Sequence, residues 1–221
     1  MKKLNLLLCV LLVSGCSWFG GDDDDAAIEP AELVDFQSEV SVVRQWSVSV
    51  GSGAKNYLIS LRPTANGDTV FAADYEGQIT ALDVGTGNVR WQAQLDVPVT
   101  GGVGYGAGLV MVGTVEGEVF TLDADDGSVL WSTQVSSEVL SSPKSNGEIV
   151  VVHSIDNKMA VLDAKTGEVK FQQRLEPRPG IVYSSSIIAD GKWFCVSQHN
   201  GTYVMDAKPA FKLLSHNAFS K

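Results

Sequence analysis

The chain is 221 residues long, 44% hydrophobic and 19% charged, so it can bury a sizeable core and is too apolar for intrinsic disorder. Twenty-six acidic against 16 basic side chains leave a formal net charge of −10, the wrong sign for a general nucleic-acid binder. Three cysteines, Cys9, Cys16 and Cys195, are too few for a disulfide scaffold, and 22 glycines indicate many turns.

The first predicted element is an address. Lys2 and Lys3 precede an unbroken apolar run from Leu6 to Val13. That run is far short of the ~20 residues a membrane-spanning helix needs, so residues 1–15 read as a signal peptide. Leu12-Val13-Ser14-Gly15-Cys16 resembles the lipobox of bacterial lipoproteins, in which the cysteine thiol is acylated and becomes the new N-terminus. The alternative is an ordinary secretory signal with a chance cysteine. The resemblance implies lipid attachment at Cys16, and Ser17 in place of an aspartate implies export to the outer membrane. Residues 16–43 carry Asp22 to Asp25 and read as a flexible acidic tether, because adjacent like charges repel and extend the chain. A calcium loop would instead space its ligands and turn at a glycine.

A repeat follows, over residues 44–215, with a tail at 216–221. Asp83, Asp123 and Asp163 recur every 40 residues, followed by Gly87, Gly127 and Gly167 and then by Trp91, Trp131 and Phe171. A fourth copy reaches Asp206 and then loses the Thr-Gly turn and the spaced Trp. Each copy alternates apolar and polar residues in short runs, which predicts strands around Val70, around Ile79 to Leu82 and around Val89 to Leu95. A further strand is predicted in the linking segment, around Val139 to Ser145, and no window after the leader has helical periodicity. Four short strands per 40-residue copy make an all-β fold of β-propeller blades, each of four antiparallel strands, about four in number.

Each position in the motif has a mechanical role. The aspartates can accept hydrogen bonds from the amides of the following turn, and the glycines supply a positive φ. The aromatic residues can pack flat between neighbouring blades. The opening segment from Arg44 to Val50 reads as a further strand, with Trp46 in the position of Trp91.

Ala81-Leu82-Asp83 with Thr86-Gly87 and Trp91 resembles the repeat of the pyrroloquinoline-quinone-like propellers. Within that group, Trp46 to Gly53, Arg62-Pro63 and Val70 to Asp74 resemble the family of propeller lipoproteins in the outer-membrane β-barrel assembly machinery. The resemblance implies a non-catalytic scaffold that helps assemble outer-membrane barrels and binds the machinery's central barrel subunit. The family's ring holds about eight blades, turning by about 45° each. Four copies therefore predict an open propeller whose end faces favour self-association or a covering partner. A strained four-bladed closure, with the opening strand completing the fourth copy, is the alternative.

The chemistry-bearing residues do not assemble into a catalytic motif. Gly102 to Ala107 matches the letter of a dinucleotide fingerprint, but a strand follows where a helix must start. His153, His199 and His216 have no metal-ligand spacing, and Cys195 in Trp193-Phe194-Cys195-Val196 reads as a buried thiol. No cofactor and no metal are expected, and no enzyme activity. A quinoprotein-like periplasmic oxidoreductase, or its non-functional remnant, is the competing reading. In the family a loop after the third repeat grips the barrel subunit. The corresponding segment, Glu176 to Ser186, nominates Arg178, Val182 and Tyr183 as partner-binding residues, although the family's Leu-Arg-Gly is not kept there.

Overall fold

Runs of Val, Ile, Thr and aromatic residues, cut by Gly and Asn, form sixteen strands in the computed structural model, which describes residues 32, 34, 39–180, 182 and 184–218. The leader, Cys16 and the aspartate run lie outside the described residues, as do Ile181 and Tyr183. By contacts the chain divides into residues 1–42 and 43–221, and every strand belongs to the second unit.

The strands make four sheets of four, each a simple antiparallel meander. Blade 1 is β1 (Thr64–Asn66), β2 (Thr69–Ala73), β3 (Gln78–Asp83) and β4 (Val89–Gln94). Blade 2 is β5 (Val99–Gly106), β6 (Leu109–Thr114), β7 (Glu118–Asp123) and β8 (Val129–Gln134). Blade 3 is β9 (Lys144–Ser145), β10 (Ile149–His153), β11 (Lys158–Asp163) and β12 (Val169–Arg174). Blade 4 is β13 (Ile187–Ala189), β14 (Lys192–Val196), β15 (Thr202–Asp206) and β16 (Leu213–Asn217).

Burial follows from blade stacking. A middle strand has a neighbouring blade on both faces, so every residue of β10 is buried and strict alternation disappears. The outer strands β4 and β8 bury one residue each, Trp91 and Trp131 respectively. The core falls into three clusters, one between each consecutive pair of blades. Phe71 with Val110 typifies the first, Met111 with Val150 the second, and Val151 with Trp193 the third. The propeller is open, with no cluster joining blade 4 back to blade 1 among the described residues.

Three sequence expectations need correction. Residues 44–50 form no regular strand, because no described strand lies beside them to pair with. The fourth repeat does have an outer strand, β16, paired with β15 from Thr202↔Asn217 to Met205↔Leu213, so the opening segment does not complete it. Within this blade His216 stacks on Tyr203 with ring centroids 4.4 Å apart. Finally, the strand expected around Val139 to Ser145 shrinks to Lys144–Ser145. The Val139 carbonyl instead accepts a hydrogen bond from Thr100 Oγ1 of blade 2 at 3.0 Å.

Candidate functional site

The blade seams are built from the repeat motif. Asp83 Oδ1 accepts from the amides of Gly85 and Thr86 at 3.1 and 2.9 Å, and Asp163 Oδ1 accepts from Lys165 and Thr166 at 3.0 and 3.1 Å. Asp123 Oδ1 accepts from the amide of Asp125 at 2.8 Å. Hydrogen bonding from Arg90 and from Thr86 holds the Asp83 carboxyl down to about 2. Asp206 has no such turn; its amide donates to the Lys212 carbonyl at 2.9 Å.

Gly87, Gly127 and Gly167 close these turns at φ of 74°, 76° and 73°. They do a second job that the sequence did not reveal. A Cβ on Gly127 would stand 2.5 Å from the Trp91 ring, and one on Gly167 would stand 2.6 Å from Trp131. Each tryptophan thus lies flat on the glycine of the next blade. Its Nε1 also donates to a carbonyl just after the next Asp: Trp91 to Ala124 at 2.9 Å and Trp131 to Ala164 at 3.0 Å. Trp46 repeats the arrangement on blade 1, donating to Val84 at 2.8 Å over Gly87. The series breaks at the last seam. Phe171 has no side-chain N–H and meets Phe211 edge-on at 5.4 Å, while the Ala207 carbonyl takes its bond from Asn146 Nδ2 at 3.1 Å.

A groove opens where the inner strands begin. Its volume is about 380 Å³, and it is lined by Leu58, Ile59 and Ser60 ahead of β1, by Leu140 and Ser141 ahead of β9, and by Val182 ahead of β13. His153, Ile155 and Asn157, at the end of β10 and in the turn after it, complete the wall. Leu58 is fully exposed, and Leu140 and Ile155 are close to half exposed, so the lining is apolar and open to solvent. His153 is 6% exposed, and its Nε2 has no hydrogen-bond partner. Burial pushes its pKa down to about 4 against the opposing pull of Asp156, so the ring is neutral near pH 7.

A smaller, polar cavity of about 170 Å³ adjoins the groove through Asn157 and is lined by Asp156, Arg174, Leu175, Arg178 and Pro179. Burial would raise the Asp156 pKa, but hydrogen bonds from Ser154 and Ser136 outweigh it and leave the carboxyl lowered. Of the three nominated partner-binding residues, Val182 therefore lines the apolar groove and Arg178 the polar cavity beside it, while Tyr183 lies outside the described residues. Sequence reasoning missed Leu58, Leu140, His153 and Ile155. A signal was present: an apolar–hydroxyl pair, Ile59-Ser60 and Leu140-Ser141, stands a few residues ahead of β1 and of β9.

Chemically this surface suits docking. Among the described residues no three His, Cys, Asp or Glu side chains gather as a metal site. The Cys195 thiol is buried and pushed up to about 12, the opposite of an activated nucleophile.

Four-stranded meanders stacked face to face, with a tryptophan laid on an Asp–Gly turn at each of the first two seams, define a β-propeller. A sequence model described as outer membrane protein assembly factor BamB matches residues 36–98 and 75–210, and the chain belongs to that family. The BamB of Pseudomonas aeruginosa is 44% identical over 114 residues, 52% of this chain and 29% of its own length. The crystal structure of BamB from Moraxella catarrhalis superposes with a TM-score of 0.63 at 20% identity, over 72% of this chain and 48% of that one. The quinohemoprotein alcohol dehydrogenase of Comamonas testosteroni shares the fold at a TM-score of 0.55 and 16% identity, covering 70% of this chain and 34% of that one. The chain thus spans under a third of that curated relative and about half of the solved one.

Proposed function

We propose that this protein is a non-catalytic scaffold in the assembly of outer-membrane β-barrel proteins, held at the periplasmic face of the outer membrane by a lipid on Cys16. Residues 16–43 serve as an acidic tether, and the repeats present the docking surface. Membership of the assembly-factor family supports the process. The observation that carries the docking role is the placement of Val182 and Arg178 in adjoining cavities, one apolar and one polar. An exposed apolar groove rimmed by charge is the ordinary make-up of a protein interface. The partner we assign to it is the central barrel subunit of the assembly machinery. A dehydrogenase role draws only on a likeness of fold, since the quinohemoprotein match is 16% identical.

Co-purification from detergent-extracted outer membranes tests this reading. The wild-type chain should bring down the barrel subunit, and Val182→Asp with Arg178→Glu should cut its recovery about tenfold. Lys208→Glu, on the exposed turn after β15, should leave recovery unchanged. Equal recovery with all three proteins would overturn the assignment of the groove.

A further inference from the structure

Blade 2 differs from its neighbours in charge and in the chemistry of its outer edge. From Trp91 to Pro143 the chain carries no Lys, Arg or His, while blade 2 carries Glu116, Glu118, Asp123, Asp125 and Asp126. None of these carboxylates is in an ion pair among the described residues. On blades 1 and 3 the residue before the seam aromatic is a cation that ties down its own blade. Arg90 of β4 reaches Asp83 at 2.7 Å and, two strands away ahead of β2, Asp68 at 2.8 Å. Lys170 of β12 reaches Asp163 at 3.3 Å. Blade 2 has Leu130 in that place, 48% exposed beside Val129 at 49%, and Asp123 is left without a cation. The edge itself is open, since β8 pairs with β7 alone. All of its residues, Val129 to Gln134, are uncharged. The other outer strands carry charge on or beside them: Arg90 on β4, Lys170 and Arg174 on β12, Lys212 just ahead of β16. Such charges keep an edge from accepting a further strand, and β8 lacks them.

We propose that the edge of β8 takes an extended, arginine-bearing segment of another protein as an added antiparallel strand of blade 2. Backbone pairing supplies affinity, and Val129 and Leu130 pack against the alternate side chains of the incoming segment. Its arginine reaches across β8 to Asp123, the two-strand span that Arg90 makes to Asp68. Charge decides among the possible occupants. A second copy of β8, paired antiparallel, would set the turn at Asp123 to Asp126 of one chain beside Glu118 of the other, because Gln134 lies opposite Glu118. Like charges at both ends of the pair disfavour that arrangement, and an anionic lipid surface is repelled in the same way. No residue of β8 lines the apolar groove, so the proposal does not depend on which protein the groove binds.

The probe is a fluorescent synthetic peptide of alternating valine and threonine with an arginine at its centre, titrated into the detergent-extracted full-length chain at physiological ionic strength. Saturable binding is expected, with amide exchange slowed at residues 129–134. Leu130→Arg gives β8 the residue that β4 carries at this position. It should weaken binding at least about tenfold and leave the urea midpoint unchanged. Two further peptides test the same point on the unmodified chain. Glutamate in place of the arginine should abolish binding, and so should proline in place of each threonine, which keeps the charge but removes the amides a strand needs. Undiminished binding to Leu130→Arg, or equal binding by either altered peptide, would overturn the proposal. So would self-association of the unliganded chain that Leu130→Arg abolishes, because β8 would then belong to a second copy.

Discussion

Trp91 and Gly127 are 36 positions apart and meet at the first seam, where the indole covers the glycine and bonds to Ala124. Two costs meet at Gly127: an alanine would have to hold a φ of 76° and would drive its Cβ into the ring. Gly127→Ala should therefore lower the urea midpoint by more than Gly53→Ala, whose Cβ would meet nothing even though its φ is also positive. Equal losses would show that the ring contact contributes nothing. His153 supplies a pH dependence of definite sign. Its pKa falls from 6.5 to about 4 on folding, so between those values the unfolded chain binds the extra proton and stability rises with pH. Acidifying from pH 7 to 4 should cost roughly 3 kcal/mol from this group, and His153→Gln should flatten that window in denaturant titrations. Asp83 acts lower down, its contribution being present above about 3.8 and fading as pH falls toward 2.

At the scale of elements, β5 is the strand on which the sequence was hardest to read. Its Gly-rich letters match a dinucleotide fingerprint, and the order of elements excluded that without saying what the glycines are for. In the structure they face blade 3: a Cβ on Gly104 would overlap the carbonyl of Pro143, and one on Gly106 that of Ser145. Glycine is required because two backbones lie in contact, with no room for a side chain between them. Gly104→Val should force β5 and the approach to β9 apart. The expected readout is an unfolding curve that separates into two transitions, blades 1 and 2 parting from blades 3 and 4. A single cooperative transition shifted by under ~1 kcal/mol would show that the contact is dispensable. The site was legible only in part for the same reason. Val182 and Arg178 could be nominated from a loop position, but Leu58 and Leu140 stand 82 positions apart and become one wall only when inner strands are stacked.

For the whole molecule, the two ends of the repeat array differ in kind. Trp46 of the opening segment is seated on blade 1 over Gly87, and blade 4 ends in a strand with a serine where such a tryptophan would be. The acyl site proposed at Cys16 would set where every blade operates. Cys16→Ala should release the chain from outer membranes into a high-salt wash, and retention of the variant in the pellet would remove the lipid from the account.

Sequence alone determined the period, the strand content and the turn chemistry of this protein, because those depend on neighbours within a few residues: alternation in a strand, a carboxylate beside its own turn, a glycine at positive φ. Tertiary structure decided what each repeat unit touches. The second role of Gly127, the need for glycine at positions 104 and 106 of β5 and the neutral state of His153 all follow from groups brought together across blades. Those contacts are set by stacking, and no local pattern of residues encodes them.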